Sequence, residues 1–96
     1  MRSKAESHLG FAARDRSLST GYNTCIFMME KRKLKLLILT EDLSENSKEK
    51  MLRAAKQYEV PCRTYGKMDD LSHITGTEGK GIFGLADKNL ADAIVS

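Results

Sequence analysis

Apolar residues recur along this chain in short blocks that switch between helical spacing and unbroken runs, and the switches predict its elements. Leu9, Ala12 and Ala13 fall at helical spacing, so a first helix is expected from His8 to about Arg14, after a frayed start. Tyr22, Cys25, Ile26 and Met29 stand at i, i+3, i+4 and i+7, the core stripe of a second helix from about Gly21 to Arg32. Asn23, Thr24, Phe27 and Glu30 then lie on or beside its other face. The apolar run Leu36-Leu37-Ile38-Leu39 has the pattern of a central strand buried on both sides. Asn46 followed by Glu49 resembles a capping box, opening a third helix with Met51, Leu52, Ala55 and Tyr58 as its stripe and Val60-Pro61 as its stop. Cys62 to Tyr65 reads as a short strand, with Pro61 at its start, where a missing N–H matters least. Met68 to Ile74 is expected to be a short helix closed by Gly76, and Gly76 to Gly81 a mobile glycine-rich connection. Ile82 to Ala86 reads as a second buried strand, after which Asp87 caps a final helix carrying Leu90, Ala91 and Ile94. Helices alternating with buried strands imply an α/β fold, an α/β/α sandwich with its sheet covered on both faces.

At 96 residues this is room for one domain, residues 1–96, and not for a catalytic domain beside a separate binding domain. The longest apolar stretch, Leu36 to Leu39, is too short for a signal peptide or a membrane span. The apolar and charged content is that of a soluble globular protein, and two cysteines do not make a disulfide scaffold, so a cytoplasmic address is expected; a monomer is expected as well. Charge is unevenly placed: through Leu36 there are eight basic residues and three acidic ones, whereas the remainder has eight basic and ten acidic. A basic amino-terminal part favours a polyanionic partner such as RNA, although Lys31-Arg32-Lys33 also suits the carboxyl end of a helix.

Catalytic chemistry finds little to work with. Glu41-Asp42 and Asp69-Asp70 are adjacent carboxylates without a nucleophile or histidine partner, although Glu41-Asp42 follows a central strand, where α/β folds place ligands. His8, His73, Cys25 and Cys62 lack metal-ligand spacing, and no glycine pattern opens a helix in the manner of a nucleotide-binding loop. No metal, cofactor or enzymatic activity is expected. Binding is better served. The Asn23 amide can donate to and accept from a base edge, and free N–H groups at the helix start can meet a phosphate. Lys31 and Arg32 could follow a phosphate backbone, with Arg14 and Arg16 reaching the same surface from before the Leu18 to Gly21 loop. The second candidate contact is Leu71-Ser72-His73-Ile74-Thr75-Gly76, which mixes apolar and small residues, although Leu71 and Ile74 also suit the core.

These segments, taken in order, resemble a family. Leu18-Ser19-Thr20-Gly21-Tyr22-Asn23-Thr24-Cys25, Lys35 to Asp42, Val60-Pro61 and Leu71 to Gly76 are similar to the L7Ae family of ribosomal and kink-turn-binding proteins, and within it to small bacterial YlxQ-type members. The resemblance runs from about Leu9 to Val95. It implies a three-layer α/β/α sandwich around a mixed sheet of about four strands. It also implies structured RNA as partner, ribosomal or kink-turn, in a ribosome-associated setting and without catalysis. Thr20, Gly21, Asn23 and Thr24 would meet the RNA at the helix start, and Leu71 to Gly76 would pack on an extruded nucleotide. Thr24 stands where the family pattern has glutamate, Phe27 and Ser17 where lysines are common, and Ser72 where the loop has glycine. These departures motivate an alternative: a protein-interaction module on the same fold, using exposed Phe27 and Met28.

Overall fold

The computed structural model describes residues 4–95. Five helices and four strands follow one another as α1 Lys4–Arg14, β1 Leu18–Thr20, α2 Tyr22–Glu30, β2 Leu36–Leu39, α3 Glu45–Gln57, β3 Cys62–Thr64, α4 Met68–Thr75, β4 Ile82–Leu85 and α5 Lys88–Val95. The strands form one mixed sheet in the order β1-β4-β2-β3. β4 runs antiparallel to both neighbours, setting Thr20 and Ile38 opposite Phe83, and β2 runs parallel to β3, setting Leu37 opposite Cys62. Every residue of β2 and β4 is buried, as the unbroken apolar runs predict.

Alternation along these strands divides the core in two. Leu36, Ile38, Phe83 and Leu85 face Leu9 and Ala12 of α1, Leu71 of α4 and Ala91 of α5. Leu37, Leu39 and Ile82 face Cys25 and Met29 of α2 and Met51 and Ala55 of α3. Each side is a layer of buried side chains, and cutting back a fully buried one, as in Leu37→Ala, costs about 2–5 kcal/mol through lost burial and an unfilled cavity.

Local chemistry moves several boundaries. α1 starts at Lys4 rather than near His8, with Glu6 in its first turn accepting a hydrogen bond from the Tyr65 hydroxyl at 3.0 Å. α3 is capped by Ser44, whose Oγ accepts from the Ser47 N–H at 3.2 Å, so Asn46 lies inside the first turn and the expected Asn46–Glu49 box does not form. Leu52, expected in the stripe of α3, is 48% exposed, because Met51 and Ala55 take the sheet side and a neighbouring residue lies about 100° around the helix. β1 is a strand where a loop was expected; three half-buried residues, one of them apolar, carry no periodic signal, and only pairing with β4 defines them.

Three helix ends share a device. Ser17 N–H donates to the Ala12 carbonyl, Lys33 N–H to that of Met28 and Val60 N–H to that of Ala55, each bond spanning five residues. The residue before each donor, Arg16, Arg32 or Glu59, is left-handed, at φ 64, 59 and 56°. Such Schellman closures usually place glycine there, so these side chains hold a backbone conformation that costs them energy.

Candidate nucleic-acid interface

The turn from β1 into α2 builds the start of the site. Gly21 has φ 89° and ψ 162°, which only a residue without Cβ adopts easily, and its N–H donates to the Ile82 carbonyl at 3.0 Å, continuing the β1–β4 ladder by one step. α2 then begins at Tyr22 with Gly21 as its cap and no side-chain hydrogen bond to its first turn. Thr20, which also suits a helix cap, is instead the last residue of β1. The first N–H groups of α2 therefore lack a side-chain acceptor from the cap, at the positive end of the helix dipole. Asn23 and Thr24 are exposed beside them, while Cys25 and Met29 are buried. Tyr22, expected in the core stripe, is 42% exposed; it begins the helix, and Cys25 and Ile26 one turn later take up the packing.

One further basic group, not expected from the sequence, stands here. The Lys80 ammonium lies beside the helix start, 3.9 Å from where a Cβ on Gly21 would stand. The two residues are far apart in the chain and meet because β4, which begins two residues after Lys80, pairs with β1. The only signal was a lysine between Gly79 and Gly81 ahead of a buried strand.

The second segment lies at the end of α4. Gly76 closes this helix in the left-handed conformation at φ 75°, donating its N–H to Ser72. The Thr75 hydroxyl bonds the Leu71 carbonyl at 2.7 Å and the Thr77 hydroxyl at 2.9 Å, which fixes the first residues of the following loop. A groove here brings Arg14 of α1 together with His73, Ile74, Thr75 and Gly76. A neighbouring depression of about 730 Å³ is lined by Asp69, Ser72, His73 and residues 76–79. Of the two, the Arg14 groove is the basic one. The chain from Gly76 to Lys80 reaches at most about 14 Å, so the end of α4 and the start of α2 belong to one surface. Leu71 does not: it is wholly buried among Leu9, Leu36 and Phe83 and is withdrawn from the contact set. Ile74 is half-buried against the same cluster, with its edge in the groove.

Arg16, Lys31 and Arg32 are exposed but lie elsewhere. Arg16 precedes β1 and is separated from Gly21 by the length of that strand. Lys31 and Arg32 follow the last turn of α2, about 13 Å from its start. Lys31 Nζ stands 5.5 Å from the centre of the Phe27 ring, and Arg32 stands 5.6 Å from that of Tyr58, donating to the Tyr58 carbonyl at 3.4 Å. Phe27 is 57% exposed, whereas Met28 is half-buried against the α2/α3 core, so the two do not form one exposed patch.

The carboxylate pair after β2 has a structural task. Asp42 accepts from the Met68 N–H at 3.1 Å and thereby caps α4 from across the sheet end, where Lys67 offers no side-chain cap. Desolvation works to raise its pKa, but the Met68 N–H hydrogen bond and the Thr40 side chain, with a smaller contribution from the nearby Lys67 charge, outweigh it and hold the carboxyl below its usual range. Among the described residues, no cluster of three or more His, Cys, Asp or Glu side chains is placed to hold a metal ion, and no helix is long and apolar enough to cross a membrane.

Known proteins of similar sequence or shape supply context. A family model described as the ribosomal protein L7Ae/L30e/S12e/Gadd45 family matches residues 3–93. The RNA-binding protein YlxQ of Enterococcus faecium is 32% identical over 90 residues, covering 94% of this chain and 86% of that protein. The RNA-binding protein YlxQ of Bacillus subtilis (strain 168) is 28% identical over 88 residues, covering 92% and 88%. Among solved structures, a protein of unknown function from Bacillus halodurans C superposes with a TM-score of 0.93 at 26% identity, covering 98% of this chain and 95% of that one. The 15.5kD RNA binding protein of Giardia lamblia superposes with a TM-score of 0.79 at 13% identity, covering 99% and 85%, a likeness of fold.

Proposed function

We propose that this chain, which belongs to the ribosomal protein L7Ae/L30e/S12e/Gadd45 family, is a non-catalytic RNA-binding protein that recognises a kink-turn or a similarly non-canonically paired RNA. The observation that carries the reading is the uncapped start of α2, with exposed Asn23 and Thr24 on it and the Lys80 ammonium beside it. N–H groups, helix dipole and ammonium together attract a phosphate, and they do so without regard to sequence. Base recognition falls to Asn23, whose amide offers both a donor and an acceptor, and to the Thr24 hydroxyl. Ser72, His73, Ile74, Thr75 and Gly76 cover an unstacked nucleotide, with Arg14 on its phosphate. A straight duplex presents no extruded nucleotide to this surface, so the arrangement favours a bent or internally looped RNA. The names of the YlxQ relatives support RNA as the partner. Work in the cytoplasm on ribosomal RNA or another ribonucleoprotein follows from the same reading.

Replacing Asn23 by alanine tests it. Asn23→Ala lowers affinity for a kinked RNA by about 1–3 kcal/mol and leaves a straight duplex of equal length unaffected. An unaltered preference between the two RNAs in filter binding would remove Asn23 from the site.

One observation supports a second reading. Phe27 is 57% exposed on the free side of α2, an apolar contact suited to a protein partner. In that case, association with ribosomes survives nuclease treatment and is lost in Phe27→Lys. Nuclease-sensitive association unaffected by the substitution would dismiss it.

A further inference from the structure

The surface shared by α2 and α3 has features that the helix-start site leaves unused. An open groove of about 340 Å³ runs between the two helices, lined by Tyr22, Ile26, Lys50, Arg53, Gln57 and Tyr58. Among its described lining residues there are two cations and no carboxylate. Arg53 does bond Glu49 at 3.1 Å, but both side chains are about three-quarters exposed. Such a pair contributes little in water, so a phosphate can take the carboxylate's place. Tyr58 at the end of the groove carries the Arg32 guanidinium near its ring, and Lys31 stands near the Phe27 ring. Between Tyr22 and Arg32, the rings of Tyr22 and Tyr58 thus alternate with the basic groups of Lys50, Arg53 and Arg32 along the groove, which Phe27 does not line.

That alternation fits one class of partner. A ring stacks on the face of any base, and cations spaced between rings follow the backbone, which is how single-stranded nucleic acid is held without regard to sequence. The groove is also continuous with the interface described above, because Tyr22 sits between Gly21 and Asn23 in the chain. We propose that the α2–α3 groove takes a single-stranded RNA segment leaving the structured element, with Tyr22 stacking its first unpaired base and Lys50 and Arg53 on its phosphates. This rests on the RNA-binding reading and extends it to a second, sequence-tolerant contact. It gives Lys31 and Arg32 a role at the distance from the helix start where the fold puts them. At about 3.4 Å per stacked nucleotide, the 13 Å length of α2 accommodates about four nucleotides.

Fluorescence anisotropy on the full chain tests the proposal with five RNAs: a kinked hairpin, the same hairpin with a four-nucleotide single-stranded tail at either end in turn, the hairpin with its stem extended by paired residues of equal charge, and a straight duplex. One of the two tails raises affinity about tenfold over the bare hairpin, and the paired extension does not. That gain disappears in Tyr22→Ala, shrinks in Lys50→Ala and Arg53→Ala, and persists in Tyr22→Phe, while all four variants bind the bare hairpin like the parent. A hairpin that binds specifically but gains nothing from either tail would overturn the groove and leave the RNA reading standing. An equal gain from the paired extension, or a gain that survives Tyr22→Ala, would also overturn it, reducing the effect to charge. Equal weak binding of hairpin and straight duplex would end both proposals.

Discussion

Cys25 lies under the sheet with its thiol 3.8 Å from the Ser19 carbonyl, and burial pushes its pKa up to about 12. Since the thiolate is the reactive form, Cys25 stays unmodified by iodoacetamide at pH 8 until the protein is unfolded. Half-buried Cys62, also raised by burial but with Arg63 nearby opposing the shift, is modified first. Mass spectrometry of the native and denatured protein checks the order, and early labelling of Cys25 would mean that α2 opens readily. Its burial was legible in the sequence, because its place in the helical stripe marks the side facing the sheet. The same period put exposed Asn23 on the free side. It could not separate Tyr22 from the stripe, since periodicity assigns a direction around the helix and not where packing begins along it. Lys80 was out of reach for another reason: its approach to Gly21 follows from pairing between strands distant in the chain, which no local pattern records.

Asp42 links two elements, and its effect has a definite sign with pH. Its carboxyl titrates below the usual range in the folded chain, so the ionised cap stabilises α4 at pH above that range. The stabilisation is lost as pH falls through the native pKa. Asp42→Asn therefore lowers the melting temperature at pH 7, and the gap to the parent narrows in acid; a gap constant with pH would mean that the charge does not contribute. The end of α2 makes a different prediction. Arg32 occupies a left-handed position that glycine tolerates at no steric cost, so Arg32→Gly stabilises the chain by about 0.5–1 kcal/mol in chemical denaturation while weakening RNA binding. Retaining arginine there exchanges stability for a charge on the surface. Helix ends of this kind resist sequence reading, because Arg16, Arg32 and Glu59 give no glycine to mark the turn. Ser44 was missed at the start of α3 because Asn46 offered a competing cap pattern two residues later. The apolar runs of β2 and β4, by contrast, announced themselves, since burial on both faces removes any polar alternation.

For the molecule as a whole, the alternation of elements foretold a sheet covered on both faces, and the mixed four-stranded sheet has that form. Its strand order was not readable locally, because β1 is too short to carry a pattern and acquires its identity only beside β4. Charge was partly readable: the basic amino-terminal part foretold a positive surface, but folding distributes it. Arg14 joins the α4 groove, Lys80 joins the start of α2 from the other half of the chain, and Lys31 and Arg32 sit at the far end of that helix. On the proposed reading, an interface so divided would hold phosphates at several points and read bases at few, so affinity is expected to fall steeply with salt while discrimination between RNA shapes persists. Titration of a labelled kink-turn RNA against a straight duplex of matched length and composition, at two salt concentrations, measures this most directly. The kinked RNA is expected to bind tighter at both salts, with both affinities falling as salt rises. Equal affinity for the two RNAs, vanishing together at the higher salt, would contradict shape-specific recognition and leave only electrostatic attraction.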